Sequence, residues 1–224
     1  MSSPELSPGR PYGGKSPQER TASRHQRLLE AGVNLFGTDG YGATSIEVLC
    51  RLSRVTPRYF YESFSSREEL LREIYDQIAT DTLEQVASVV RSASDEDVDT
   101  LIFKGVGTLF HCMLDDPRIA RIFCIEAVGV SPALELRRRQ VLHQFAAIIS
   151  SQATVKVDNP ELGAGTYDLV ALAVVGGIYE LVVDSISGLI DTEIEPLVDE
   201  VTAFVRDALT GVSIRRIGEP AFPR

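Results

Sequence analysis

From residue 18 to about residue 209, apolar positions recur three and four apart in one segment after another, and the elements they predict are helices. Gln18 to Phe36 carries an inward stripe of Leu28, Leu29, Gly32, Leu35 and Phe36, and the glycine-rich turn Gly37 to Gly42 ends it. Two short helices follow. The first buries Ile46, Leu49 and Cys50 and turns Glu47 and Arg51 outward; the second faces Phe60 and Phe64 inward. Thr44 with Glu47 reads as a T-x-x-E capping box, and Thr56 as the cap of the second helix, with Pro57 in its first turn. Ser66 with Glu69 then opens a helix that meets neither Pro nor Gly before about Ser92. At 1.5 Å per residue it spans about 40 Å, enough to join one domain to another.

Beyond it the pattern predicts helices over Val98 to Leu114, Arg118 to Val128, Ser131-Pro132 to about Gln152, Thr166 to Leu189 and Ile194 to Leu209. Asp115-Asp116-Pro117 is a stop and restart, and Lys156 to Gly165 reads as a polar loop. The helix containing LVALAVVGGIYELVV is apolar almost all round, which requires cover on more than one side. A second subunit would supply that cover, and Gly176-Gly177 would let its backbone come close. The expected organisation is a disordered tail over 1–17, a three-helix head over 18–65, a helical body over 66–212 and a C-terminal tail over 213–224.

Helix, tight turn, helix is the unit that places its second helix in the DNA major groove. Arg58, Tyr59 and Glu62 point away from the side held by Phe60 and Phe64, with Tyr61 on the flank, so Arg58 and Tyr59 are free to read something. The net charge of −10 looks wrong for such a role until it is divided. Residues 1–60 carry eight Lys+Arg against five Asp+Glu, while residues 81–224 carry 12 against 22. The basic share lies with the reading helices, joined by Arg20, Arg24 and Arg27 on one side of the first helix.

Three cysteines inside apolar runs fit a reducing cytoplasm, and the Pro-, Gly- and Ser-rich start is no secretory signal. The best candidate membrane span, Leu169 to Val183, is interrupted by Gly176-Gly177 and contains Glu180, so no membrane partner is expected. No catalytic triad, P-loop or CxxC pattern appears, and neighbouring His111 and Cys112 point about 100° apart on a helix. Neither an enzyme nor a bound metal or cofactor is expected. Glu180 and Asp184, four apart, fit either the polar floor of a cavity or pairing with arginines at a subunit seam.

From Gln26 to Leu71, the positions Leu35-Phe36, Gly40-Tyr41, Ala43-Thr44-Ser45, Val55-Thr56, Phe60-Tyr61, Phe64 and Ser66-Arg67-Glu68 fall at a shared spacing. That spacing resembles the DNA-binding domain of the TetR family of bacterial transcriptional repressors. Two positions depart from it: Arg54 stands where the family commonly has a turn glycine, and Glu62 where it often has His. The resemblance implies that Thr56, Arg58 and Tyr59 contact base edges or nearby phosphates, and that Thr44, Ser45, Tyr61 and Arg67 position the head on the double-stranded operator. It implies a homodimer sealed by the two C-terminal helices, and a body enclosing a small, usually apolar effector. By position, Phe103, Phe110, Met113, Phe123, Phe145, Tyr167 and Tyr179 are candidates for that lining, although the same spacings suit plain core. The expected function is a repressor released from a near-palindromic site when ligand binding tilts the long connector. The alternative is a helical ligand-binding protein that has lost specific DNA control, to which Arg54 and Glu62 would point.

Overall fold

The computed structural model describes residues 16–156 and 167–217, and every regular element among them is helical. In chain order they are α1 (Pro17–Thr38), α2 (Ile46–Ser53), α3 (Pro57–Ser63), α4 (Arg67–Ser92), α5 (Val98–Leu114), α6 (Pro117–Arg121), α7 (Pro132–Lys156), α8 (Asp168–Ile186) and α9 (Ile194–Ile217). Most of the expected tail, residues 1–15, and most of the expected polar loop, residues 157–166, lie outside the described residues.

Local chemistry explains most of the starts. Ser16 Oγ accepts from Glu19 N and Glu19 Oε2 accepts from Ser16 N, a complete capping box that begins α1. Asp97 opens α5 by accepting from Thr100 N, and Asp116 opens α6 by accepting from Arg118 N, with Pro117 at the first helical position. At α2 the expectation was one residue early. Ser45 is the cap, accepting from Val48 N, whereas the Thr44 hydroxyl is buried and donates to Gly40 O at 2.8 Å. Thr56 precedes α3 but makes no side-chain cap bond. Ser66 caps α4, while Glu69 reaches Ser65 N and Oγ instead of closing the box.

Two further differences concern the body. The segment expected as one α-helix from Arg118 to Val128 is α only as far as Arg121. Ile122–Glu126 is π-helical, its Ala127 N donating five residues back to Ile122 O at 3.2 Å. And α9 does not stop at Leu209 but runs through the expected tail boundary to Ile217, because Gly211 alone does not end a helix and the Gly218-x-Pro220 stop lies further on.

In the head, α1, α2 and α3 close over Leu28, Phe36, Leu49, Phe60 and Phe64, all buried, together with Leu70 and Leu71 from α4. His25 ties the head to the connector: its ring stacks on Phe64 at 4.6 Å and Nε2 lies 2.7 Å from Glu73 Oε1. In the body α5 packs between α4 and α9, and α7 packs on α8. The glycine pair does not interrupt α8, which runs unbroken for 19 residues at a mean hydropathy of 2.0, long and apolar enough by itself to cross a membrane. One side of it, with Ala171, Val174, Val175, Ile178 and Val182, is buried in the body. The opposite side exposes Leu169, Ala173, Gly176, Gly177 and Glu180.

Candidate nucleic-acid interface and the cavity behind it

α3 presents an outward face. Thr56, Arg58, Tyr59 and Tyr61 are all exposed, and the Arg58 side chain is 84% accessible. Glu62 Oε1 accepts from Arg58 Nε at 3.1 Å, one turn apart, so the departure at Glu62 is a paired carboxylate. Arg24 of α1 lies over the Tyr59 ring, its Cζ 4.0 Å from the centroid, which extends the basic surface from α3 onto α1. Arg27 Nη1 donates to Arg54 O, and Arg54 itself is left-handed, at φ 53° and ψ 42°.

Beside this face, a notch is lined by Gly42 to Glu47 and Arg67, at the N-terminus of α2. Ser45 is half-exposed there, and Arg67 is spent as a brace: Nη1 donates to the carbonyls of Tyr41 and Thr44, and the guanidinium lies over the Tyr41 ring. Thr44, only 1% exposed, offers its side chain to no partner outside the fold, which corrects the expectation of a backbone contact from its hydroxyl.

The head is also latched to the body, a contact with no local sequence signal. Glu126, at the end of the π segment, accepts from Tyr41 N at 2.7 Å and from Arg121 Nε at 2.9 Å, and Arg121 Nη1 donates to Thr38 O. Gly40, at φ 94°, lets the turn bend beneath that carboxylate. Gly37 meets α6 so closely that an added Cβ would lie 2.4 Å from Arg118 Cβ and 2.9 Å from its Cα.

Behind the latch is a cavity. Its outer chamber, about 780 Å³ including the mouth, is enclosed by α4, α5, α7, α8 and α9, and Gln152 is its one polar lining side chain. An inner chamber of about 330 Å³ shares Leu109, Phe145, Val175 and Ile178 with it and ends on Phe123 and Cys124 of the π segment. Of the aromatic and Met candidates, Met113, Phe123, Phe145 and Tyr179 line these chambers. Phe103 does not, being 43% exposed on the outer side of α5, and Phe110 and Tyr167 are buried in core away from the lining. Most of the wall is instead Val, Leu and Ile.

At the inner end Tyr179 Oη donates to Cys124 O and accepts from Arg138 Nη2 at 2.6 Å, while Arg138 Nη1 is paired with Glu135 at 2.9 Å. Burial pushes the Tyr179 hydroxyl up to about 12 despite the nearby guanidinium, so it stays protonated and keeps its donor. Burial likewise pushes up Cys50, Cys112 and Cys124, and none is a ready thiolate. Glu180 is exposed and Asp184 half-exposed, and neither lines the cavity.

Residues 28–74 match the sequence model of the bacterial regulatory proteins of the tetR family. The head of this chain is TetR-like in sequence. The match covers most of the head and the start of α4, and that family is one of bacterial regulatory proteins. No curated protein matches the chain. Among solved structures, a TetR-family transcriptional regulator from Mesorhizobium loti shares its fold at a TM-score of 0.69 and 18% identity, over 86% of this chain and 98% of that one. FadR from Bacillus subtilis, in complex with stearoyl-CoA, is similar at 0.68 and 15%, over 81% and 97%. The fatty acid degradation regulator FadR from Bacillus halodurans reaches 0.67 and 18%, over 84% and 98%. The TetR-type fold therefore extends through the body as well as the head.

Proposed function

We propose that this chain is a TetR-family regulator, a homodimeric repressor that reads a near-palindromic operator and is released by a small, largely apolar ligand. The observation that carries the reading is continuity: an exposed reading helix, a head latched at Tyr41 and Thr38 to the π segment, and a hydrocarbon-lined cavity ending on that same segment. Thr56, Arg58 and Tyr59 face base edges or nearby phosphates. Ser45, Tyr61 and the notch braced by Arg67 seat the backbone. The exposed face of α8, with its open glycines, and Phe204 on α9, 57% exposed, form the surface that a second copy covers. Two heads at fixed spacing then combine their binding energies on one site.

A ligand changes DNA affinity only if it prefers one arrangement of the body over the other. Both links from cavity to head, the connector α4 and the latch, meet at Phe123, whose ring stacks on Tyr75 of α4 at 4.9 Å. The stearoyl chain bound by the Bacillus subtilis FadR is the kind of molecule such a lining would take. The test is binding of the full-length protein to its own upstream DNA across a salt series, for the wild type and Arg58→Ala. Losing a base-reading arginine is expected to weaken specific binding by about 1–3 kcal/mol, or roughly 5- to 150-fold, while leaving binding to unrelated DNA less affected. Weak, unselective binding that ignores Arg58 would instead favour a helical ligand-binding protein without specific DNA control.

A further inference from the structure

We propose that the two chambers act in series as a gauge of chain length, so that the effector is a molecule with an unbranched alkyl or acyl chain and only chains long enough to pass the neck, the shared residues Leu109, Phe145, Val175 and Ile178, release the DNA. This rests on the ligand-cavity reading above and adds to it the shape of the ligand and the length at which it acts. Three observations carry it. The wall is hydrocarbon apart from Gln152 and is drawn out along three turns of α5, from Val98 to Leu109, which suits an extended chain. The mouth, at half-exposed Val98, Ile102, Ile149 and Gln152, is the end where a polar head group stays in water. The one hydroxyl lining the inner end is already engaged, Tyr179 Oη donating to Cys124 O and accepting from Arg138 Nη2, and Arg138, whose buried Nε has no partner, stands outside the chamber lining.

Distance along α5 sets the scale. Val98 to Leu109 rises about 16 Å, and Met113 lies about 6 Å further. A zigzag of carbon–carbon bonds of about 1.5 Å advances roughly 1.25 Å per carbon, so about 12 carbons fill the outer chamber and about five more reach the inner one. There the chain end meets Phe123 and Cys124. The π register of Ile122–Glu126 is a rare geometry one residue from an ordinary helix, and Glu126 at its end holds Tyr41 N. Filling the inner chamber thus acts on the latch; filling the outer chamber alone does not touch it.

The experiment uses the full-length protein with saturated fatty acids of 8 to 18 carbons, and in parallel their CoA thioesters, which share the chain and differ at the head outside the mouth. Titration calorimetry gives affinity, and anisotropy of labelled upstream DNA gives release at saturating ligand. Affinity is expected to rise up to about fourfold per added methylene. Chains of 8–12 carbons should bind and leave the DNA in place; chains of 16 and 18 should release it. If only one of the two series binds, that series identifies the head group and the length threshold is read within it. Val182→Phe, which narrows the inner chamber, should weaken the 18-carbon ligand more than tenfold and abolish its release of DNA. Should that variant not fold, the wild-type series decides alone. Release that is the same at every chain length once the site is saturated overturns the gauge and leaves the cavity reading standing. No saturable binding at any length overturns both.

Discussion

Arg54 ends α2 in the left-handed region, where a side chain crowds the following carbonyl oxygen at a cost of about 1–2 kcal/mol. Arg54→Gly removes that crowding. Glycine also enlarges the unfolded ensemble, by about 0.4–1 kcal/mol, so the expected net gain is on the order of 0.5–1 kcal/mol. The correct comparison is with Arg54→Ala, because both variants delete the same exposed guanidinium while only alanine keeps the Cβ. Both also keep the carbonyl that accepts from Arg27. Urea unfolding of the three proteins, with equal m-values as the check on two-state behaviour, reads the difference. At an ordinary helical end glycine would be the worse residue by roughly 0.5–1 kcal/mol, so the sign alone discriminates. If Arg54→Ala is as stable as Arg54→Gly or more so, the left-handed strain is not there and the reasoning fails.

The close seat of Gly37 on α6 makes a second case. Gly37→Ala puts a methyl group against the Arg118 main chain, and a loss of about 1–3 kcal/mol is expected in denaturant unfolding, with faster hydrogen exchange at Thr38 to Tyr41. Acid should weaken the fold through its capping carboxylates. Hydrogen bonds from Thr100 hold Asp97 below the usual carboxylate range, and the Gly129 N–H does the same for Glu135. A depressed value means that the charged form stabilises the folded state: the contribution is complete above about pH 4 and is lost as the pH falls through the folded value. Thermal melts between pH 7 and pH 3 should therefore fall less steeply for Asp97→Asn, which keeps a capping oxygen, than for the wild type; an equal slope would show that Asp97 plays no part.

How much of this was written locally differs from element to element. The head was legible because its determinants are close in sequence: Phe60 and Phe64 one turn apart, Pro57 at a helix start, Ser66 before Glu69. Thr44 misled because Thr44 and Ser45 both satisfy a capping pattern, and what decides between them is burial and the nearness of Gly40 O, which spacing does not encode. The π segment was read as ordinary helix because IFCIE shows no apolar periodicity of its own. Its register is held from outside, by Tyr179 on Cys124 O and by Glu126 on a turn 85 residues earlier. Aromatic residues proved an uneven guide to the cavity. Phe110 and Phe145 have the same spacing signature, yet one fills core and the other borders space, and only the packing of five helices distinguishes them.

On the proposed reading of DNA by α3, the pairing of Arg58 with Glu62 bears on how the protein would find its site. A free arginine on the reading face gains from any phosphate it meets, and a regulator with such a face dwells on every stretch of duplex it touches. Here the guanidinium already has a carboxylate one turn away, and that carboxylate repels the phosphate backbone. Random sequence must displace a partner and gives little in return, whereas a guanine edge offers two acceptors in the geometry of the guanidinium fork. If α3 reads DNA as proposed, Glu62 would lower affinity everywhere but least where the sequence is right, and the protein would trade tightness for short visits to the wrong DNA.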